Sequence, residues 1–297
     1  MVDSLLYDIG KVAIFTFVLA SMFLTGLTVT IADLVAPFRN RRLVSISVVA
    51  NFVIVPLIAL LLISIIPMNQ ELAAGLLLVS IAAGAPSTGK LAQLTGGEVA
   101  RAVSLTILLT IITIIIMPFL VPFILEGAQA DPLNVLASLV ELILLPILIG
   151  TLIRSRSRSI AERLSPIVDI ISNLSIAVIF LTFGVLFLAR LGQIVTSTSG
   201  ALAIFVAVVF TLLAMGITYL LGGFERDARQ DLAFGAGFRN ITAALVVIFA
   251  SFTNIQNDVL LMVLMVTIFS IIIIGIFVGI IFKKRMDAEK KARGSGA

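Results

Sequence analysis

Gly84-Ala85-Pro86-Ser87-Thr88-Gly89-Lys90 falls in the middle of an otherwise apolar run, Leu72 to Leu94, long enough to cross a bilayer. Proline has no amide hydrogen and glycine is a weak helix former, so the helix is expected to unwind there. A second run, Leu232 to Phe252, carries Gly235-Ala236-Gly237-Phe238-Arg239-Asn240, a similar interruption. Irregular backbone at membrane depth is tolerated only inside protein or beside a water-filled cavity. Helix-packing glycines are the plainer explanation of such clusters. The cation in each, Lys90 and Arg239, favours a site instead, because a charge at the bilayer centre costs about 2.5–3.5 kcal/mol on the insertion scales.

Outward from these two runs the chain stays apolar. Of its 297 residues 60% are hydrophobic and 12% charged, against about 25% charged in a soluble domain. About nine membrane-crossing helices are expected: Val12–Asp33, Leu43–Ile66, Leu72–Leu94, Val99–Leu125, Leu133–Ile153, Ile167–Leu188, Ala201–Leu221, Leu232–Phe252 and Val259–Phe282. The first lacks a basic leader and a small-residue cleavage site, which makes it a span rather than a signal peptide. The fold class is all-α and polytopic, with the lipid bilayer as its main partner.

The absence of His and Cys excludes disulfides, thiol chemistry and zinc or haem ligation through those residues. No cofactor and no metal are expected. The Ser and Thr residues have no evident base and no two carboxylates sit at catalytic spacing, so no enzymatic activity is expected. The net charge of +4 lies in short loops and does not point to nucleic acid.

Those loops set direction through the positive-inside rule. Arg39, Arg41 and Arg42 follow the first span; Arg154, Arg156, Arg158 and Arg163 the fifth; Arg226 and Arg229 the seventh. The tail carries Lys283, Lys284, Arg285, Lys290, Lys291 and Arg293. The alternate loops are neutral or acidic, with Glu71, Glu126, Asp131 and Asp258, apart from Arg190. The amino terminus is therefore expected outside and the carboxyl terminus in the cytoplasm, in a prokaryotic plasma membrane.

Phe23-Leu24-Thr25 and Phe180-Leu181-Thr182, like Gly84-Ala85 and Gly235-Ala236, recur at a similar separation in spans of opposite direction. That is the pattern of inverted repeats, whose interface holds the site in many secondary transporters. Lys90 and Arg239 are then an electropositive site for an anion, helped by half-helix amino ends. The competing reading is internal pairing, for example with Glu141, or snorkelling of Lys90 to the interface. Asn51, Asn240, Ser87, Thr88 and Thr106 are candidate substrate contacts, although Asn more often bridges helices. Glu141 is a coupling candidate, as a proton relay or as a neutralising partner. Asp169 is expected near a helix end.

With these residues in view the chain resembles the bile acid:sodium symporter family along nearly its whole length. The likeness rests on Gly26-Leu27-Thr28 with Asp33-Leu34, Asn51 with Pro56, the broken third span leading into Gly97-Glu98-Val99-Ala100, and Gly237-Phe238-Arg239-Asn240. It implies two broken helices that cross in a core domain (approximately 43–125 and 201–283) facing a panel domain (approximately 10–36 and 133–190), with a basic tail over 284–297. The family's sodium-binding pattern in the late broken helix is similar to Glu-Val-Gly-Met-Gln-Asn. Here Gly235 stands at the Glu and Arg239 at the Gln. A Ser-Asn pair in the earlier break becomes Thr88-Gly89, followed by Lys90. The resemblance therefore implies an alternating-access carrier for a small organic anion, with a carboxylate the first expectation. The two cations stand in the sodium region and predict independence from sodium. Sodium-coupled symport is the alternative, and an anion channel the alternative from another class. Substrate identity and oligomeric state are not legible.

Overall fold

The computed structural model describes residues 2–30, 32, 40–124, 131–196, 198–223, 225–251 and 257–294. Asp33, Leu34, Arg39 and Glu126, and the expected span ends Leu125 and Phe252, lie outside the described residues, as do the side chains of Arg190, Lys290, Lys291 and Arg293. The described elements are helices, with no strand among them: α1 (Val2–Thr28), α2 (Arg41–Ile65), α3 (Gln70–Ile81), α4 (Thr88–Thr95), α5 (Val99–Ile124), α6 (Pro132–Arg156), α7 (Arg158–Thr196), α8 (Thr198–Leu221), α9 (Arg226–Gly237), α10 (Ile241–Ser251) and α11 (Asn257–Gly294). Among the described residues, eight helical stretches are long and apolar enough to cross a membrane, the pair α9–α10 counting as one. The expected third span is cut, as its sequence predicts, into α3 and α4 around the Gly84-Ala85-Pro86 cluster, and neither piece is long enough to count among the eight. The chain is an all-α polytopic membrane protein.

Local chemistry sets the helix starts. Asn40, Asn69 and Asp131 accept hydrogen bonds from the amides of Leu43, Leu72 and Leu133, which frees none of those first-turn donors. Helices α2 and α6 each contain a π turn, Ala50–Ile54 and Val140–Leu144. Each lies just before a proline, Pro56 or Pro146, whose missing amide and ring clash break the regular ladder.

Helix α1 packs along α6 and α7. At the α1–α6 seam the backbones meet at Gly26 and Gly150. A Cβ on Gly150 would lie 2.5 Å from the Phe23 carbonyl oxygen, and one on Gly26 only 3.0 Å from the Gly150 Cα. Helix α3 lies against α11, where Gly75 allows a similar approach to Val259 and Met262. Helix α10 is apolar on every side and is buried from Ile241 to Ile248, as an all-round hydrophobic helix must be. Large side chains such as Leu61, Phe123, Leu174 and Leu220 stay exposed on the outer helices, facing what a bilayer would cover.

Candidate functional site

The two interruptions meet. Helix α3 ends at Ile81 and α4 begins at Thr88, while α9 ends at Gly237 and α10 begins at Ile241. Between them the backbone amide of Asn240 donates to the Ala82 carbonyl at 2.9 Å, and the Asn240 side-chain amide donates to the Gly84 carbonyl at 3.0 Å. The same Asn240 accepts from the Ala243 amide at 3.1 Å and so starts α10. One buried residue thus serves both breaks.

Helix α5 supports the crossing from behind. The Thr113 hydroxyl lies 3.0 Å from the Ala83 amide and 3.1 Å from its carbonyl, and Thr110 donates to the Gly84 carbonyl at 2.9 Å. Thr106, Thr110 and Thr113 share a face at helical spacing. Replacing Thr113 by valine keeps the shape but removes its bonds to the Ala83 amide and carbonyl, leaving that amide only the tight i−2 bond to the Ile81 carbonyl. A stability loss of about 1–3 kcal/mol is expected, read as a lower thermal midpoint in detergent.

Arg239 is the buried cation of the crossing, with 5% of its surface exposed. Its guanidinium donates to the Ser80 carbonyl at 2.6 Å, to the Val79 carbonyl at 3.1 Å and to Asn51 Oδ1 at 2.6 Å. Val79 and Ser80 belong to the last turn of α3, where carbonyls lack i+4 helical partners and the helix dipole is negative, although the Val79 carbonyl also accepts from the Ala82 amide. Asn51 sits in the π turn of α2. The guanidinium therefore rests in a nest of protein oxygens.

Lys90 behaves differently. It lies in the first turns of α4 and is exposed, on the wall of a crevice of about 540 Å3. That volume falls in the range of small-molecule sites. Ser87 and the Arg239 residue share this wall, and α1 and α7 face it with Thr25, Asp169 and Asn173. Lys90 was expected to be buried. It is not, because the helix has resumed at Thr88 and turns this position toward the crevice.

The remaining candidates separate into two groups. Asn51, Thr88 and Thr106 line a second, water-sized cavity together with Ser47 and Asp231. Glu141 is exposed on α6 and lines neither cavity. Asp231, Thr110 and Thr113 were not singled out from sequence. Spacing along α5 signals the two threonines, whereas Asp231 is hidden in the polar run Glu225–Gln230 that precedes it. Among the described residues no cluster of acidic, His or Cys side chains is arranged to hold a metal ion.

Two broken helices that cross and open on a crevice are an arrangement found in membrane transport proteins. Residues 15–197 match the model of the sodium bile acid symporter family, and the chain belongs to that family. The matched stretch ends before the second broken pair, α9 and α10. No curated protein is matched by the chain.

Proposed function

We propose that this chain is a secondary transporter that carries a small organic anion, a carboxylate first of all, by alternating access and without sodium. The observation that carries the reading is the seat of Arg239. A sodium ion wants several oxygen ligands, and the carbonyls of Val79 and Ser80 with Asn51 Oδ1 already hold a fixed positive charge. A second cation beside it is repelled.

In this reading Lys90, at the amino end of α4, meets the substrate anion as an accessible point charge, aided by the first-turn amides. Ser87 and Asn173 contribute polar contacts in the crevice. Helices α1, α6 and α7 act as the panel, and the broken helices with α2, α5, α8 and α11 as the core. The amino terminus lies outside.

The test is uptake into proteoliposomes of labelled pyruvate, phenylacetate and cholate, carboxylates graded in size. Saturable uptake of at least one of them is expected, unaltered when potassium replaces sodium. Lys90→Gln is expected to lower uptake about tenfold or more, the worth of one charged contact, with little change in thermal midpoint because Lys90 is exposed. Uptake that requires a sodium gradient overturns the sodium-free reading.

A further inference from the structure

The crevice accounts for Lys90 but leaves a buried carboxylate unused. Asp231 of α9 has 2% of its side chain exposed and accepts from Arg101 Nε at 2.7 Å. Its other surroundings form a cavity of about 10 Å3, lined by Ser47, Asn51, Thr88 and Thr106. That is the room of a single water, among enough polar partners to hold one.

Arg101 is shared. It also pairs with Glu225 at 2.5 Å and with Glu98 at 3.3 Å, so three carboxylates compete for one guanidinium. Asp227 adds further negative charge from the same helix. The charges that bear on Asp231 are Arg101, Asp227 and Glu98, while Arg41 and Arg42 stand exposed at the start of α2. Helix α2 and α4 bring the neutral Ser47, Asn51 and Thr88. Helix α8 brings Tyr219, which lies against Arg229, and α11 brings Arg285 against Gly96 at the end of α4. Lys90 of α4 faces the crevice instead.

We propose that Asp231 is the site at which a proton binds and couples to substrate. The inference rests on the transport reading above. A proton from the water phase adds to the Asp231 carboxylate, and the ion pair with Arg101 becomes a hydrogen bond to a neutral acid. Arg101 keeps Glu98 and Glu225, so its charge stays compensated. On release the proton returns to water and the pair re-forms. The link to substrate is α4: Thr88 faces the Asp231 cavity, while Ser87 and Lys90 face the crevice. An anion in the crevice and a carboxylate at Asp231 repel each other across that single turn. Binding of the anion therefore favours protonation, and by reciprocity the proton favours the anion. A monocarboxylate and one proton together add no net charge to the site.

The test uses wild type, Asp231→Asn and Asp231→Glu in proteoliposomes, with whichever of pyruvate, phenylacetate and cholate the wild type exchanges best. Equilibrium exchange at fixed pH needs no driving ion; accumulation under an inward proton gradient in sodium-free buffer does. Wild type is expected to do both. Asp231→Asn is expected to keep measurable exchange and to lose accumulation above equilibration, and Asp231→Glu to keep part of it. Accumulation by the Asn variant under the proton gradient overturns the proposal, as does wild-type accumulation driven by sodium and indifferent to pH. Absence of exchange in wild type overturns the transport reading itself, and the coupling with it. If the Asn variant does not reconstitute, infrared difference spectra decide. A protonated-carboxyl band that appears in wild type on mild acidification and moves in Asp231→Glu supports the site, and its absence overturns it.

Discussion

Arg239→Gln is expected to lower stability by about 3–5 kcal/mol, because the shorter neutral side chain strips a charged donor from buried acceptors. The Ser80 carbonyl and the Oδ1 of Asn51 would lose their charged donor, and the Val79 carbonyl would keep only the Ala82 amide. Differential scanning fluorimetry in detergent reads this directly. Two further outcomes make the expectation specific. Arg239→Lys should recover part of the loss, since an ammonium supplies the charge but not the fork. In Arg239→Gln, added sodium should raise the thermal midpoint, while the wild type stays indifferent. A nest emptied of its guanidinium is a cluster of oxygens of the kind a small cation seeks. If sodium stabilises the wild type equally, the guanidinium is not serving as the resident cation.

Gly84→Ala is expected to be more disruptive still. Gly84 has φ +85°, a conformation that costs a residue with a Cβ about 1–2 kcal/mol. The added carbon would also lie 2.5 Å from the Thr110 amide nitrogen and 2.6 Å from the Thr106 carbonyl oxygen. Both neighbours are backbone of α5 and cannot swing aside. A loss above about 4 kcal/mol, or failure to yield monodisperse protein, is expected. Gly275→Ala in α11, where nothing lies within 4 Å of the new carbon, is the control and should leave the midpoint nearly unchanged. Comparable losses in both variants would mean that glycine flexibility in general, not the crossing, is being measured.

Hydrophobic length made the membrane spans legible, because a bilayer demands a long apolar run whatever packs around it. The breaks were legible for a related reason: Gly84 and Pro86 in one run, and Arg239 in another, violate the pattern that membrane helices otherwise obey. What Arg239 binds was not. Its partners on α3 lie about 160 residues away and are backbone carbonyls, which carry no side-chain signature. The depth of Lys90 is hidden in the sequence because it depends on where the helix restarts, a matter of one or two residues. Glu141 stands among mostly apolar neighbours on α6, which hides its exposure in the sequence. On a helix apolar all round, composition does not tell which face meets protein, and Glu141 falls on an exposed one. The burial of Asp231 is hidden in the sequence for the opposite reason. It follows a polar run and reads as a helix start, yet α9 carries it to a small buried cavity shared with Ser47, Asn51, Thr88 and Thr106.

The glycine seam between α1 and α6 has a mechanical meaning. Side chains that interdigitate can hop between rotamers and let two helices slip by fractions of a turn. Backbones in contact at Gly26 and Gly150 have no such compliance, since any axial slide drives peptide into peptide. The two helices are therefore a stiff strut, and displacement of one carries the other with it. Flexing has to be taken up outside the seam. A spin-label pair placed across it should keep one narrow distance distribution under every loading condition that broadens distances elsewhere.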